Sequence, residues 1–254
     1  MSWWHAVLVL LAGVWAGAIN AVVGSGTLVT FPVLVALGYP PLTATTSNAI
    51  GLAPGTVSGA IGYRHELTGQ GRRIVRYCVP SFLGAIGGTI LLLSLPPDAF
   101  EKIVPVLVGF AVVLVVIQPW VSKWVNRRRE NRSDVKAHGG PLLLFLIFLV
   151  GIYGGYFTAA QGVLLMAFMG MLLTDSLQRL NGIKNVLAAV VNIVAGTVYA
   201  FVAPISWPVV GLLAVGSTLG GQLGAKIGRR LPPTVLRGVI VLVGVAAIVQ
   251  LLLR

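Results

Sequence analysis

Two short clusters of small and polar residues interrupt otherwise apolar sequence, Gly24-Ser25-Gly26-Thr27 and Ala160-Gln161-Gly162. Glycine and serine lower helix propensity, and glycine allows backbone angles that other residues avoid. Each cluster precedes a short apolar stretch. A helix starting there presents free N–H groups and the positive end of its dipole. Two such N-termini facing one another near the middle of a bilayer would make an anion site from backbone alone. The rival reading of either cluster by itself is close helix packing, for which small residues are the usual means. The repetition, with a short helix downstream each time, favours a site.

A second constellation stands beside each cluster. Thr43, Thr45, Thr46, Ser47 and Asn48 open one apolar run, and Asn181, Lys184 and Asn185 open its counterpart. Hydroxyls and amides can replace water around an oxyanion, and lysine adds a compact positive charge. A lysine at mid-span costs roughly 2.5–3.5 kcal/mol on insertion scales, so one placed there implies a function. Two readings of Lys184 remain open: a ligand for an anion, or a side chain snorkelling from a helix end. Helix capping competes in the same way for the Ser/Thr group. Asn20 and Gln161, polar within apolar runs, are candidate pore-lining residues.

Other chemistries lack their parts. His5, His65 and His138 fall outside the apolar runs expected to span, and no HExxH or comparable ligand set appears, so neither a metal nor another cofactor is expected. Glu66, Asp98, Glu101, Glu130, Asp134 and Asp175 lie at span ends or in loops, which offers no cation site or acidic proton relay. There is no Walker sequence, and the glycines around Ser25 do not form GxSxG, so the chain reads as a non-enzyme. A membrane-embedded enzyme or a non-transporting assembly subunit is the alternative. The single Cys78 lies inside an apolar run and reads as packing.

The elements that must position these residues are membrane helices. Hydrophobic residues make up 57% of the 254 and charged ones 9%, and the mean hydropathy is +0.94. That is too little charge to cover a soluble surface, so the solvent is lipid. Runs of about 20 apolar residues, not alternating ten-mers, favour helices over a barrel. Spans are expected near 5–22, 42–63, 74–95, 103–120, 141–158, 183–203, 208–226 and 235–253. The pieces 27–38 and 163–173, about 12 residues or roughly 18 Å each, are too short to cross and read as half-helices. Residues 1–21 lack the basic start of a signal peptide and are taken as the first span. The fold class is therefore all-α integral membrane, with about eight long helices and two half-helices.

The halves share one grammar. Setting Gly26 against Gly162 brings Asn48 opposite Asn185 with one inserted residue. Each half reads as span, break, half-helix, Asn-bearing span and two further spans, which gives repeats at 1–122 and 141–254 joined by a basic linker at 123–140. The formal charge of +12 belongs to this topology and not to nucleic acid. Arg64, Arg72, Arg73 and Arg76 fill one loop. Lys123, Arg127, Arg128, Arg129, Arg132 and Lys136 fill the linker, and Lys226, Arg229 and Arg230 a third loop. The connections 96–101 and 204–207 carry no Lys or Arg. Counting each half-helix as a passage puts all three basic loops in the cytoplasm, the N-terminus outside and the repeats in inverted orientation. Eight crossings with re-entrant pieces is the other arrangement.

The stretch GAINAVVGSGTLVTFPVLVALGYPPLTATTSNAIG from Gly17 to Gly51 resembles the first-half signature of the TauE/SafE family of sulfite exporters and related permeases. GGYFTAAQGVLL and LNGIKNVLAAVVN, between Gly151 and Asn192, resemble the second-half signature. The resemblance covers nearly the whole chain. Ser25, Thr27 and Ala159-Ala160 depart from the fuller glycine breaks of many members. The resemblance implies a plasma-membrane, multi-pass permease for a small, sulfur-containing anion such as sulfite or sulfoacetate. The expected site is where Gly24–Thr27 and Ala160–Gly162 meet, lined by Thr46, Ser47, Asn48, Asn181, Lys184 and Asn185. The expected partners are the anion and membrane lipid, and a homo-oligomer is compatible with this reading.

Overall fold

A computed structural model describes residues 2–130 and 139–227, together with 241 and 245. Helices fill it: α1 (Trp3–Val22), α2 (Thr27–Ala36), α3 (Pro41–Gly62), α4 (Gly71–Ser94), α5 (Pro97–Glu130), α6 (Gly140–Tyr156), α7 (Gln161–Leu172), α8 (Leu177–Val202) and α9 (Trp207–Ile227). The two half-helices form where expected. The ends of the chain's breaks explain why. Gly24 takes a left-handed φ of +89° and donates its N–H to Ile19 O at 3.0 Å, a glycine stop that ends α1. Ala160, at φ +56°, is the one non-glycine residue at positive φ among the described residues. Such a conformation costs about 1–2 kcal/mol without glycine and must be held by its surroundings.

The expectation of eight long spans is only partly met. Among the described residues five helices are long and apolar enough to cross a membrane: α1, α4, α5, α8 and α9. Helix α3 has the length, but Thr43, Thr45, Thr46, Ser47 and Asn48 make it polar; it can be so because α8, α9 and α1 surround it and much of it is buried. Helix α6 stops at 17 residues because the chain breaks after Tyr156. Apart from residues 241 and 245, the span expected at 235–253 lies outside the described residues, as do the basic residues Arg132, Lys136, Arg229 and Arg230 and His138. Helix α5 continues to Glu130, into the stretch read as linker, and His5 falls in the first turn of α1.

The packing interleaves the two halves of the sequence. Helix α1 lies along α9 and α6 along α4, with backbones nearly touching. A Cβ placed on Gly17 would sit 2.2 Å from Ser217 O, and one on Gly88 would sit 2.0 Å from Ile152 O. Small residues at four-residue spacing allow this approach, and dispersion and weak polar contacts between backbones then hold the pairs in lipid.

Contacts also fix which loops share an end. Thr46 Oγ1 donates to Pro204 O at 2.6 Å and Ser47 Oγ accepts from Ser206 N at 2.9 Å, which joins the start of α3 to the α8–α9 loop. At the other end, Asp175, between α7 and α8, pairs with Arg73 of α4 at 2.5 Å and with Arg179 of α8 at 3.0 Å. Gly62, where α3 ends, abuts Ala225 of α9. Arg73, Asp175 and Lys226 are therefore at one end of the molecule. Helices α1 and α2 form a hairpin that enters from the α3-start end and returns to it. Helices α6 and α7 do the same from the opposite end, and the two tips meet inside.

Candidate functional site

The tips meet at glycine. Gly162 N donates to Gly24 O at 3.0 Å, and a Cβ on Gly24 would lie 2.5 Å from Gly162 Cα. Only hydrogen fits between the strands of the crossing, so both breaks need glycine at this point for close approach. Side chains then cross-brace the two hairpins. The Thr27 and Thr158 hydroxyls lie 2.9 Å apart. Asn48 Nδ2 donates to Thr27 Oγ1 at 3.0 Å, while its Oδ1 accepts from the Thr30 hydroxyl. Asn20 Oδ1 accepts from Gly26 N at 3.0 Å, as a capping side chain does. Ser25 is buried beside them, and its hydroxyl has no partner among the described residues.

Lys184 stands at this junction, 0% exposed. It reaches no interface, so it does not snorkel. Its Nζ donates to Asn20 O at 2.8 Å and Ala21 O at 3.2 Å, the last carbonyls of α1. Asn185 Nδ2 joins it on Ala21 O at 3.3 Å. A cation suits the negative end of a helix dipole. Yet the described ion pairs are those of Asp175 alone, and none involves Lys184. In its charged form the ammonium is balanced by carbonyl dipoles only, and one of its three donors is left over.

A cavity of about 10 Å³ lies between Lys184, Gly24, Thr27, Gln161 and Gly162, with Asn20, Thr158, Ala188 and Asn192 completing it. This holds about one water, so anything larger needs the hairpin tips to part. Of the residues expected at the site, the structure brings together Gly24, Ser25, Gly26, Thr27, Asn48, Ala160, Gln161, Gly162, Lys184 and Asn185. Thr46 and Ser47 are elsewhere, tied to Pro204 and Ser206, because a helix turns their side chains away from the Asn48 face. Asn181 does not line the cavity, although its Oδ1 is buried without a partner.

Sequence reasoning did not pick out Thr158, Thr30 or Asn192 as site residues. For Asn192 a signal existed: Lys184, Ala188 and Asn192 recur every fourth residue and so share one face of α8. Asn192 also lines a second cavity of about 730 Å³ between α3, α8 and α9, so it stands on the wall between the two.

Comparison with known proteins places this architecture. The "Probable membrane transporter protein" of Haemophilus influenzae is 27% identical over 235 residues, covering 92% of this chain and 89% of that protein. The "Probable membrane transporter protein YfcA" of Escherichia coli is 24% identical over 238 residues, covering 93% and 86%. The sequence model of the family described as "Sulfite exporter TauE/SafE" matches residues 9–251. A match over nearly the full length, on a helical chain with opposed breaks at its centre, assigns this multi-pass membrane transporter to the TauE/SafE family.

Proposed function

We propose that this protein is a plasma-membrane permease or exporter of a small, sulfur-containing anion, sulfite or an organosulfonate such as sulfoacetate, bound between the two hairpin tips. The observation that carries the reading is Lys184: a fully buried lysine without a carboxylate partner among the described residues, lying against the break where α2 and α7 begin. A buried charge without a counter-ion is costly, several kcal/mol per ion, and an anion would supply the missing charge. The N-terminal ends of α2 and α7 lie at the same region and their dipoles add positive potential, with Gly26 N and Gly162 N already held by Asn20 and Gly24. The family description supports sulfite as the first candidate.

Two repeats, 1–122 and 141–254, joined by the basic linker 123–140, form the transporter in this reading, with inverted topology. The opposed hairpins support it, as does the grouping of Arg64, Arg72, Arg73, Arg76 and Lys226 near one end. The bodies that rock are then not the sequence halves. Helix α9 moves with α1 and α3, and α4 moves with α6, because the glycine contacts lock those pairs. Rocking parts the tips, widens the cavity and exposes it to each side in turn.

The test is flux of labelled sulfite, sulfoacetate and thiosulfate into proteoliposomes of the purified protein. Saturable flux of at least one, competed by the others, is expected. No flux and no binding for all three would overturn the reading.

A further inference from the structure

Two buried amides that line the central cavity have hydrogen-bonding capacity of opposite kinds unmet among the described residues. Gln161, 3% exposed at the first position of α7, has an Nε2 donor without a partner. Asn192, 3% exposed on α8, has an Oδ1 acceptor without one. Both line the cavity with Lys184, which keeps a donor beyond the two on the α1 carbonyls. The residues that line the cavity therefore hold spare donors on Gln161 and Lys184 and a spare acceptor on Asn192.

A fully deprotonated oxyanion has acceptors only. It would satisfy Gln161 and Lys184 but press an oxygen against Asn192 Oδ1, which repels it and stays unpaired. An oxyanion that carries one proton donor meets all three. We infer that the central cavity selects a monoanionic oxyanion bearing an O–H or N–H, of which the hydroxyl form of hydrogen sulfite is the simplest sulfur case. Its donor rests on Asn192 Oδ1 and its oxygens on Gln161 Nε2 and Lys184 Nζ. This rests on the permease reading and adds the protonation state of the cargo. Each anion then carries its own proton, and no carboxylate is needed at the cavity to move one.

The experiment is calorimetric binding of sulfite and methanesulfonate to the purified full chain. Methanesulfonate keeps the single charge and offers three oxygens, but it carries a methyl group on sulfur and has no hydroxyl. Where sulfite is mostly singly protonated it should bind about ten- to a hundredfold tighter than methanesulfonate, the effect of leaving a buried acceptor unpaired. Its affinity should fall with the hydrogen sulfite fraction as pH rises. Lys184 is the titratable side chain lining the cavity among the described residues, and methanesulfonate over the same pH range reports its titration alone. Asn192→Leu should bring the two affinities together. Equal affinities in the parent, or a preference that survives Asn192→Leu, would overturn the inference while leaving anion transport standing; the parent comparison decides even if the variant does not fold. Absence of binding and flux for every anion would instead remove the permease reading beneath it.

Discussion

Replacing Lys184 by Met keeps the length of the side chain and removes its charge. Two contributions are lost. The first is structural: Asn20 O loses its bond at 2.8 Å and Ala21 O loses one of two, keeping Asn185. A buried acceptor left without a donor costs about 1–3 kcal/mol, against which the variant no longer has to bury a charge. The fold should therefore survive with a melting temperature near that of the parent. The second is functional. A charge-assisted hydrogen bond in a dry site is worth about 1.5–3 kcal/mol, so anion affinity should fall roughly ten- to a hundredfold. Lys184→Arg should rescue poorly, because a planar fork does not fit where a compact ammonium sits between two carbonyls. Ser47→Ala is the control: Ser47 accepts from Ser206 N at the α8–α9 loop, and its loss should lower stability by about 1 kcal/mol with affinity unchanged. Thermal unfolding and calorimetric titration with sulfite, on the same preparations, separate the two effects. Parent-like sulfite affinity in a folded Lys184→Met protein would refute the reasoning and confine the site to the backbone of Gly24–Thr27 and Ala160–Gly162.

Single cysteines in a Cys78→Ala background should be labelled from outside at 96–101 and protected at 123–138 and 226–230; strong labelling of both basic loops in intact cells would defeat the inverted topology. Gly88→Ala must push a Cβ into Ile152 O at 2.0 Å and should destabilise by about 3 kcal/mol or more, whereas Gly87→Ala, whose nearest neighbour is Ile152 Cγ1 at 3.6 Å, should be neutral or stabilising; thermal unfolding reads both. Burial pushes the Asp175 carboxyl up, but hydrogen bonds from Arg179 and Arg73 outweigh it and hold the group below its ordinary value. That contribution is present above the unfolded value of about 4 and is lost as pH falls through the lower folded one, so the melting temperature should drop in acid and do so less in Asp175→Asn.

The half-helices were legible because their causes are local: a glycine stop at Gly24 and a short apolar run bounded by breaks. The meeting of the two tips was legible only through repetition, since nothing within either segment says what it faces. Thr46 and Ser47 bond to the α8–α9 loop, which the sequence could not show, because a hydroxyl near a helix start looks alike whether it faces a cavity or a loop 158 or 159 residues away. Asn48 joins the hairpin tips for a reason the sequence hides, its bonds to Thr27 and Thr30 across a helix pair. The length of α3 was readable and its polarity misjudged, because hydropathy reports contact with lipid and α3 is packed among other helices.

No carboxylate pairs with Lys184 among the described residues, and Asn20 is where the meaning of that can be tested. Asn20 lines the cavity, its backbone carbonyl holds the Lys184 ammonium, and its Oδ1 caps Gly26 N. A carboxylate here would cancel the ammonium with a full charge, whereas the end of a helix dipole offers only about half of one. Carbonyls therefore keep the lysine solvated and still leave net positive potential for a ligand. Asn20→Asp changes little in shape and preserves an oxygen for the Gly26 cap. It should leave the melting temperature unchanged or higher, since a buried cation gains a partner. It should weaken sulfite binding at least tenfold, because the anion must then displace or sit beside a like charge at the cavity wall. Stable protein with parent-like affinity would mean that the anion does not sense the charge at Lys184, and the electrostatic account of this site would fall with it.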